Sequence, residues 1–222
     1  MRLLLYNPNT DRSLTAKLAA AVRTRLVPGD ALLAVTSEKG DAFVNSEDSV
    51  AAARASASET LDGPAEGCEA ILLGCFGDLG VDDLRRKLKR PVISLSDAFF
   101  AVAPFLARRI GIVTTSPFWA DRIKTEARRK GATVWIADVQ SLDAGAGPQS
   151  TTLDQCRAII GEFASGGRCD AVVLAGAALI ALADDLSADG PLPITDLLRI
   201  GVGLCRAASE VLKAAGGTAV AV

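Results

Sequence analysis

An internal repeat constrains this chain more than any other feature. Cys68-Glu69-Ala70-Ile71-Leu72-Leu73-Gly74-Cys75 and Cys169-Asp170-Ala171-Val172-Val173-Leu174-Ala175-Gly176 share one pattern: Cys, acid, Ala, three branched aliphatics, then small residues. The second stretch lies 101 positions after the first (169 − 68 = 101), and the same offset carries Cys75 onto Gly176 (75 + 101 = 176). Two more echoes keep nearly this spacing. Arg2-Leu3-Leu4-Leu5-Tyr6-Asn7-Pro8-Asn9-Thr10 and Arg109-Ile110-Gly111-Ile112-Val113-Thr114-Thr115-Ser116-Pro117 both read as a basic-led strand ending in polar residues, 107 positions apart (109 − 2 = 107), and Pro193 follows Pro91 by 102 (193 − 91 = 102). Buried parallel strands resemble one another everywhere, but agreement of several offsets favours a duplication.

Short apolar runs alternate with longer stretches of helical periodicity, the pattern of βαβ units. Strands are predicted at residues 3–6, 31–36, 70–73 and 92–94, with helices at 13–26, 46–61 and 81–88. The second half repeats this, with strands at 110–113, 133–136 and 171–174 and helices at 118–130, 152–165 and 197–215. Thr10 or Asp11 is the expected cap of the first helix, and Gly216-Gly217 the stop of the last. The predicted fold class is α/β: two pseudo-symmetric parallel-sheet lobes, residues 1–97 plus 198–222 and residues 98–197. In open α/β folds, ligands bind beyond the carboxyl ends of the strands. The site is therefore expected in a cleft between the lobes.

Composition narrows the chemistry. The chain has 222 residues, half of them hydrophobic, and a net charge of −2, so it carries no electrostatic footprint for nucleic acid. The basic run Arg85-Arg86-Lys87-Leu88-Lys89-Arg90 reads as the solvated face and end of a helix. No apolar stretch reaches the roughly 18 residues of a membrane span, and Met1-Arg2 leads straight into a strand without a secretory pattern. Five cysteines without a CxxC fit reduced thiols, hence a cytoplasmic location. Histidine is absent altogether, so imidazole catalysis is excluded and a zinc site is not expected. Neither a GxGxxG nor a P-loop follows any predicted strand, which argues against a nucleotide-binding protein.

Among the cysteines, Cys75 stands apart. It follows a predicted strand at its carboxyl end, flanked by Gly74 and Gly77 and just ahead of a helix. A thiol there is placed to form a thiolate and act as nucleophile or base. Cys68, Cys156, Cys169 and Cys205 are assigned to packing, the usual fate of free cysteine. The other segments expected beyond strand ends are Asn7-Pro8-Asn9-Thr10, Thr114-Thr115-Ser116 and Ala175-Gly176-Ala177-Ala178. These are rich in small residues and hydroxyls that suit a carboxylate.

Asn7-Pro8-Asn9-Thr10, Gly74-Cys75-Phe76-Gly77-Asp78, Pro91-Val92-Ile93, Ile110-Gly111-Ile112-Val113-Thr114-Thr115 and Pro193-Ile194-Thr195-Asp196 occur in this order over nearly the whole chain. In these pieces the sequence resembles the aspartate/glutamate/hydantoin racemase superfamily, most closely its hydantoin and allantoin racemase branch. The resemblance implies proton transfer next to a carboxylate or carbonyl by two cysteines, one per lobe, with no metal or organic cofactor. It also implies a small carboxylate or cyclic ureide as substrate, and it leaves room for a homo-oligomer. Carried onto this chain, it makes Cys75 the catalytic thiol. Asn9, Phe76, Gly77, Thr114, Thr115, Gly176 and Ala177 become the substrate-binding set.

The chain departs from the family at position 176, where the resemblance expects the second cysteine and the residue is glycine. One thiol can remove a proton and return it to the same face, which gives exchange without inversion. An opposing acid would have to come from elsewhere; Asp78, Tyr6 and Asp196 are the candidates, each also readable as a cap or loop hydrogen-bonder. Single-cysteine decarboxylation, cis–trans isomerisation of a small dicarboxylate, and binding without turnover stay open beside racemisation.

Overall fold

The strand β1 (Arg2–Asn7) is buried along five of its six residues, which makes it a central strand. It pairs in parallel with β2 (Ala31–Thr36) on one side and β3 (Ala70–Leu73) on the other, and β3 pairs with β4 (Val92–Ser94). The sheet order is β2-β1-β3-β4. The computed structural model that gives this architecture describes residues 1–142, 149–188 and 190–216, with side chains of 149–151 left out.

The intervening helices follow from local sequence. In α1 (Arg12–Arg23) the Asp11 side chain caps the first turn by accepting from the Ser13 and Leu14 N–H groups, and Thr15, Leu18, Ala19 and Val22 form the buried stripe. The helix α2 (Glu47–Thr60) opens with a capping box between Ser46 and Ser49. Next comes α3 (Val81–Leu88), where Arg85 and Arg86 pair with Asp82 and Asp83 one turn earlier. Arg85 also reaches Asp97, and Lys87 reaches Asp62. Much of the basic run is thus consumed in ion pairs.

A helix not predicted from sequence, α4 (Leu95–Leu106), starts directly after β4. Ser94 caps it by accepting from the Asp97 N–H. The chain divides inside this helix into two compact units, Met1–Ala98 with Leu198–Val222, and Phe99–Leu197.

The second unit is built on β5 (Ile110–Thr114), buried along its whole length. Ser116 caps α5 (Pro117–Arg129), which leads into β6 (Ile136–Ser141). Then come α6 (Gln149–Ser165), β7 (Ala171–Ala175), two short helices α7 (Ala177–Ile180) and α8 (Ala183–Ser187), and finally α9 (Leu197–Ala214). The predicted strand at 133–136 is corrected here. Residues 133–135 form turns, with Trp135 N–H donating to Ala132 O and Ile136 N–H to Thr133 O, and Val134 is exposed. The strand runs on through Asp138 and Gln140 because β6 lies at a sheet edge, where polar side chains are tolerated.

The two sheets repeat one plan. The second has order β6-β5-β7, and Ile194 adds a parallel bridge to Val172 where Val92 of β4 pairs with Ile71. Leu3↔Ala70, Leu4↔Ile71 and Leu5↔Leu72 recur as Ile110↔Ala171, Gly111↔Val172 and Ile112↔Val173. The repeated Cys-acid step has a local cause. Cys68 and Cys169 are buried at strand entrances, while Glu69 accepts from the Arg2 N–H and Asp170 pairs with the Arg109 guanidinium.

Helix α9 packs on β3 through small residues at four-residue spacing. A Cβ on Gly201 would lie 2.7 Å from Leu72 Cδ1, and the Ser209 hydroxyl donates to Glu69 O at 3.2 Å. Arg206 pairs with Asp30 at the start of β2. Gly216, in the left-handed region at φ +80°, follows the helix; Gly217, the other half of the predicted stop, lies outside the described residues.

Candidate functional site

At the carboxyl end of β1, Asn7 is fully buried and organises the loop that follows. Its Nδ2 lies 2.7 Å from Asn9 Oδ1, 3.0 Å from Thr15 Oγ1 and 3.1 Å from Asp11 O, while its Oδ1 accepts from the Asn9 N–H at 3.3 Å. Asn9 Oδ1 accepts again from the Asp11 N–H, at 3.1 Å. With its oxygen held twice, the Asn9 carboxamide turns its Nδ2 donors away from this network, and no partner for them occurs among the described residues. Sequence reasoning picked Asn9 but missed Asn7 and Thr15, which orient it. The only signal was the pair of asparagines two apart.

Beside this loop, at the end of the neighbouring strand β3, comes Gly74-Cys75-Phe76-Gly77-Asp78. The Cys75 N–H donates to Leu73 O at 2.8 Å, and Cys75 O accepts from the Leu95 N–H at 3.1 Å, so the backbone of the thiol is held from both sides. Phe76 and Gly77 are buried, whereas Cys75 is half-buried. Asp78 Oδ1 accepts from the N–H groups of Gly80 and Val81, shaping the turn into α3.

The other four cysteines are buried and free. Burial pushes the Cys156 thiol up to about 11 and the Cys205 thiol to about 12. Cys68 and Cys169 are raised as well, by burial first. Loss of solvation disfavours a thiolate, so these four stay protonated near neutrality. Cys75 is therefore the one cysteine with partial access to solvent.

In the second unit, Thr114 ends β5 fully buried, its hydroxyl donating to Ala175 O at 2.7 Å across to β7. The next residue, Thr115, is half-buried, and its hydroxyl has no hydrogen-bond partner among the described residues. Gly176 and Ala177, also half-buried, follow β7 and start α7. Adjacent strands bring these two pieces together: a Cβ on Gly176 would lie 2.9 Å from Thr115 Cγ2. Of the opposing-acid candidates, Asp78 serves the turn before α3, and Asp196 is half-buried ahead of α9. The Tyr6 hydroxyl is buried with no hydrogen-bond partner among the described residues. Among the described residues no group of three or more His, Cys, Asp or Glu could hold a metal.

A family model, Asp/Glu/Hydantoin racemase, matches residues 3–205. The chain belongs to the Asp/Glu/hydantoin racemase family. A hydantoin racemase from Paenarthrobacter aurescens is 24% identical over 218 residues, 96% of this chain and 91% of that one. An allantoin racemase structure from Klebsiella pneumoniae superimposes with a TM-score of 0.87 at 25% identity, covering 99% of this chain and 90% of its own. Both are isomerases by name. An unliganded arylmalonate decarboxylase shares the fold at 16% identity, with a TM-score of 0.61 over 94% of this chain and 92% of that one. In this racemase-family chain, the carboxyl ends of β1, β3, β5 and β7 carry all eight site residues singled out from sequence. No described helix is long and apolar enough to cross a membrane.

Proposed function

We propose that this racemase-family protein is a cofactor-independent isomerase acting at the carbon next to a carboxylate or a hydantoin-like carbonyl, with Cys75 as its acid–base group. The observation that carries this reading is the contrast among the thiols: Cys75 is half-buried on a fixed loop at a strand end, while the other four are buried. The Cys75 thiolate takes the proton from the substrate carbon, and the electron pair moves onto the carbonyl oxygen. Returned by the same thiol, the proton gives exchange alone; inversion needs a proton delivered to the opposite face by water or by an acid other than Cys75. The Asn9 carboxamide donors, the loop at Phe76 and Gly77, and the segments at Thr114, Thr115, Gly176 and Ala177 bind the substrate. Preorganised donors of this kind favour the oxyanion as it forms. The substrate class follows the relatives' names: a cyclic ureide such as a hydantoin or allantoin, or a small carboxylate.

A second reading is favoured by Gly176, which offers no acid–base side chain. Decarboxylation of a substituted malonate needs one thiol only. The C–C bond breaks, the electron pair stays as an enediolate, and Cys75 delivers its proton to carbon and regains one from water. Cis–trans isomerisation of a small dicarboxylate through a Cys75 adduct is the other single-thiol route.

Chiral chromatography of enantiopure 5-substituted hydantoins and allantoin, run beside carbon dioxide release from substituted malonates, separates these readings. Loss of enantiomeric excess that disappears in Cys75→Ala supports the isomerase, and Cys75-dependent carbon dioxide release supports the decarboxylase. Binding that survives Cys75→Ala with no turnover of any substrate overturns both in favour of a non-catalytic binder.

A further inference from the structure

Asn7 and Thr36 are partners in the register between β1 and β2, and both hydrogen-bond to the Thr15 hydroxyl of α1. That hydroxyl is saturated. It donates its hydrogen to Asp11 O at 3.1 Å and accepts from Asn7 Nδ2 at 3.0 Å and from Thr36 Oγ1 at 2.8 Å. A hydroxyl carries one donor and two lone pairs, so every site on Thr15 is filled. The network therefore runs one way. With Thr36 donating, the Thr15 hydrogen stays on Asp11 O and the Thr15 oxygen accepts from Asn7. Asn7 turns Nδ2 to that side, and the same nitrogen donates to Asn9 Oδ1 at 2.7 Å. Backbone groups of Asp11 support this direction, its O accepting from Asn7 Nδ2 and its N–H donating to Asn9 Oδ1, both at 3.1 Å. Thr36 is half-buried on an edge strand, where water could satisfy its hydroxyl, so the fold alone does not require the bond to Thr15.

We propose that Thr36 is a positioning residue for the Asn9 carboxamide. Its hydroxyl, donated into Thr15, drives the one-way network that leaves the Asn9 Nδ2 hydrogens for a substrate oxygen. Thr36 touches neither Asn9 nor the substrate; it acts through Thr15 and Asn7. Hydrogen bonds in a chain polarise one another, so a donor at the far end strengthens the bonds that follow. A donor already held in place needs no reorganisation as charge develops on the carbonyl oxygen. This assignment rests on Asn9 as a substrate-binding group and on Cys75 as the acid–base thiol.

Two substitutions separate the hydroxyl from the methyl. Thr36→Val keeps the shape and removes the donor, whereas Thr36→Ser keeps the donor and removes the methyl. Side-chain amide NMR signals of isotope-labelled protein follow solvent exchange of the Asn7 Nδ2 hydrogens without any substrate. That exchange should be about 3- to 10-fold faster in Thr36→Val, the weight of one hydrogen bond, and close to wild type in Thr36→Ser. With an enantiopure 5-substituted hydantoin in deuterium oxide, kcat for C5–H exchange should follow the same order, about 3- to 10-fold lower in Thr36→Val. Both variants should melt within about 4 °C of wild type. Unchanged Asn7 exchange in Thr36→Val overturns the directed network. Faster Asn7 exchange with unchanged kcat overturns the positioning role. Thr36→Ser more impaired than Thr36→Val assigns Thr36 to packing and overturns both. Absence of C5–H exchange in wild type overturns the Cys75 reading and the positioning role with it, while the Asn7 signals still decide whether Thr36 directs the network.

Discussion

Asn7 and Asn9 are joined carboxamide to carboxamide, Asn7 Nδ2 donating to Asn9 Oδ1 at 2.7 Å, and this bond decides which end of Asn9 is left for a ligand. Asn7 is buried and Asn9 half-buried, so the first holds and the second presents. Asn9→Ala removes the donor and should lower turnover about 100-fold with little change in Tm. Asn7→Ala should lower turnover as well, and also destabilise by about 1–3 kcal/mol, because Thr15 and Asn9 lose a buried partner. Urea unfolding beside turnover assays separates the two. Equal stability losses would mean that Asn9 is as structural as Asn7.

The five thiols should differ sharply toward an alkylating reagent. At neutral pH, iodoacetamide followed by peptide mass spectrometry should find Cys75 modified first. Cys68, Cys156, Cys169 and Cys205 should react only on unfolding, since burial holds all four in the protonated form. Comparable rates at Cys75 and any of these four would remove the distinction on which the site rests.

The repeat in the sequence located the strands well because it reports burial. Cys-acid-Ala followed by three aliphatics marks a strand with both faces covered, and β3 and β7 lie where it places them. Two kinds of feature escaped. Leu95–Leu106 is apolar nearly all round and contains Pro104, so it has no helical stripe to read. Beyond Ile136 the edge strand alternates with Asp138 and Gln140, which an apolar-run criterion rejects. The candidate site could be read at its strand ends but not in its support. Thr15 reaches Asn7 only because α1 folds back on β1, and Thr36 joins them from β2. Nothing local in the sequence shows that Thr115 packs against position 176, because the contact depends on the register between β5 and β7.

Docking of α9 on the first sheet should weaken in acid. The Asp30 carboxylate is 2% exposed, and burial alone would raise its pKa. Hydrogen bonds from Arg206, the terminal ammonium and the Val27 N–H outweigh burial and hold it well below the usual carboxylate range. A lowered folded-state pKa gives stability that is present above the unfolded value near 3.8 and is lost as pH falls through the lower, folded value. Asp30→Asn should lose about 1.5–3 kcal/mol at pH 7. Its stability should also fall less steeply than wild type below pH 4. Parallel pH dependences in the two proteins would contradict this account.

Gly111 in β5 should tolerate no side chain. A Cβ there would lie 2.6 Å from two ring atoms of Phe163 and 2.9 Å from Cys169 Sγ, and neither group can yield easily in a fully buried layer. Gly111→Ala should destabilise by about 1–3 kcal/mol through overpacking. Adding Phe163→Leu should recover part of the loss, and thermal unfolding of the single and double variants reads it directly. An unchanged Tm in Gly111→Ala would show that this layer is looser than described.

The central claim is that Cys75 moves a proton at a carbon next to a carbonyl, and hydrogen–deuterium exchange at that carbon tests it most directly. Proton NMR in deuterium oxide follows the C5–H signal of an enantiopure 5-substituted hydantoin against a protein-free control. Wild-type protein is predicted to accelerate exchange, and Cys75→Ala to be slower by about 100- to 10,000-fold, the usual contribution of a positioned acid–base group. Exchange that persists undiminished in Cys75→Ala would contradict the account.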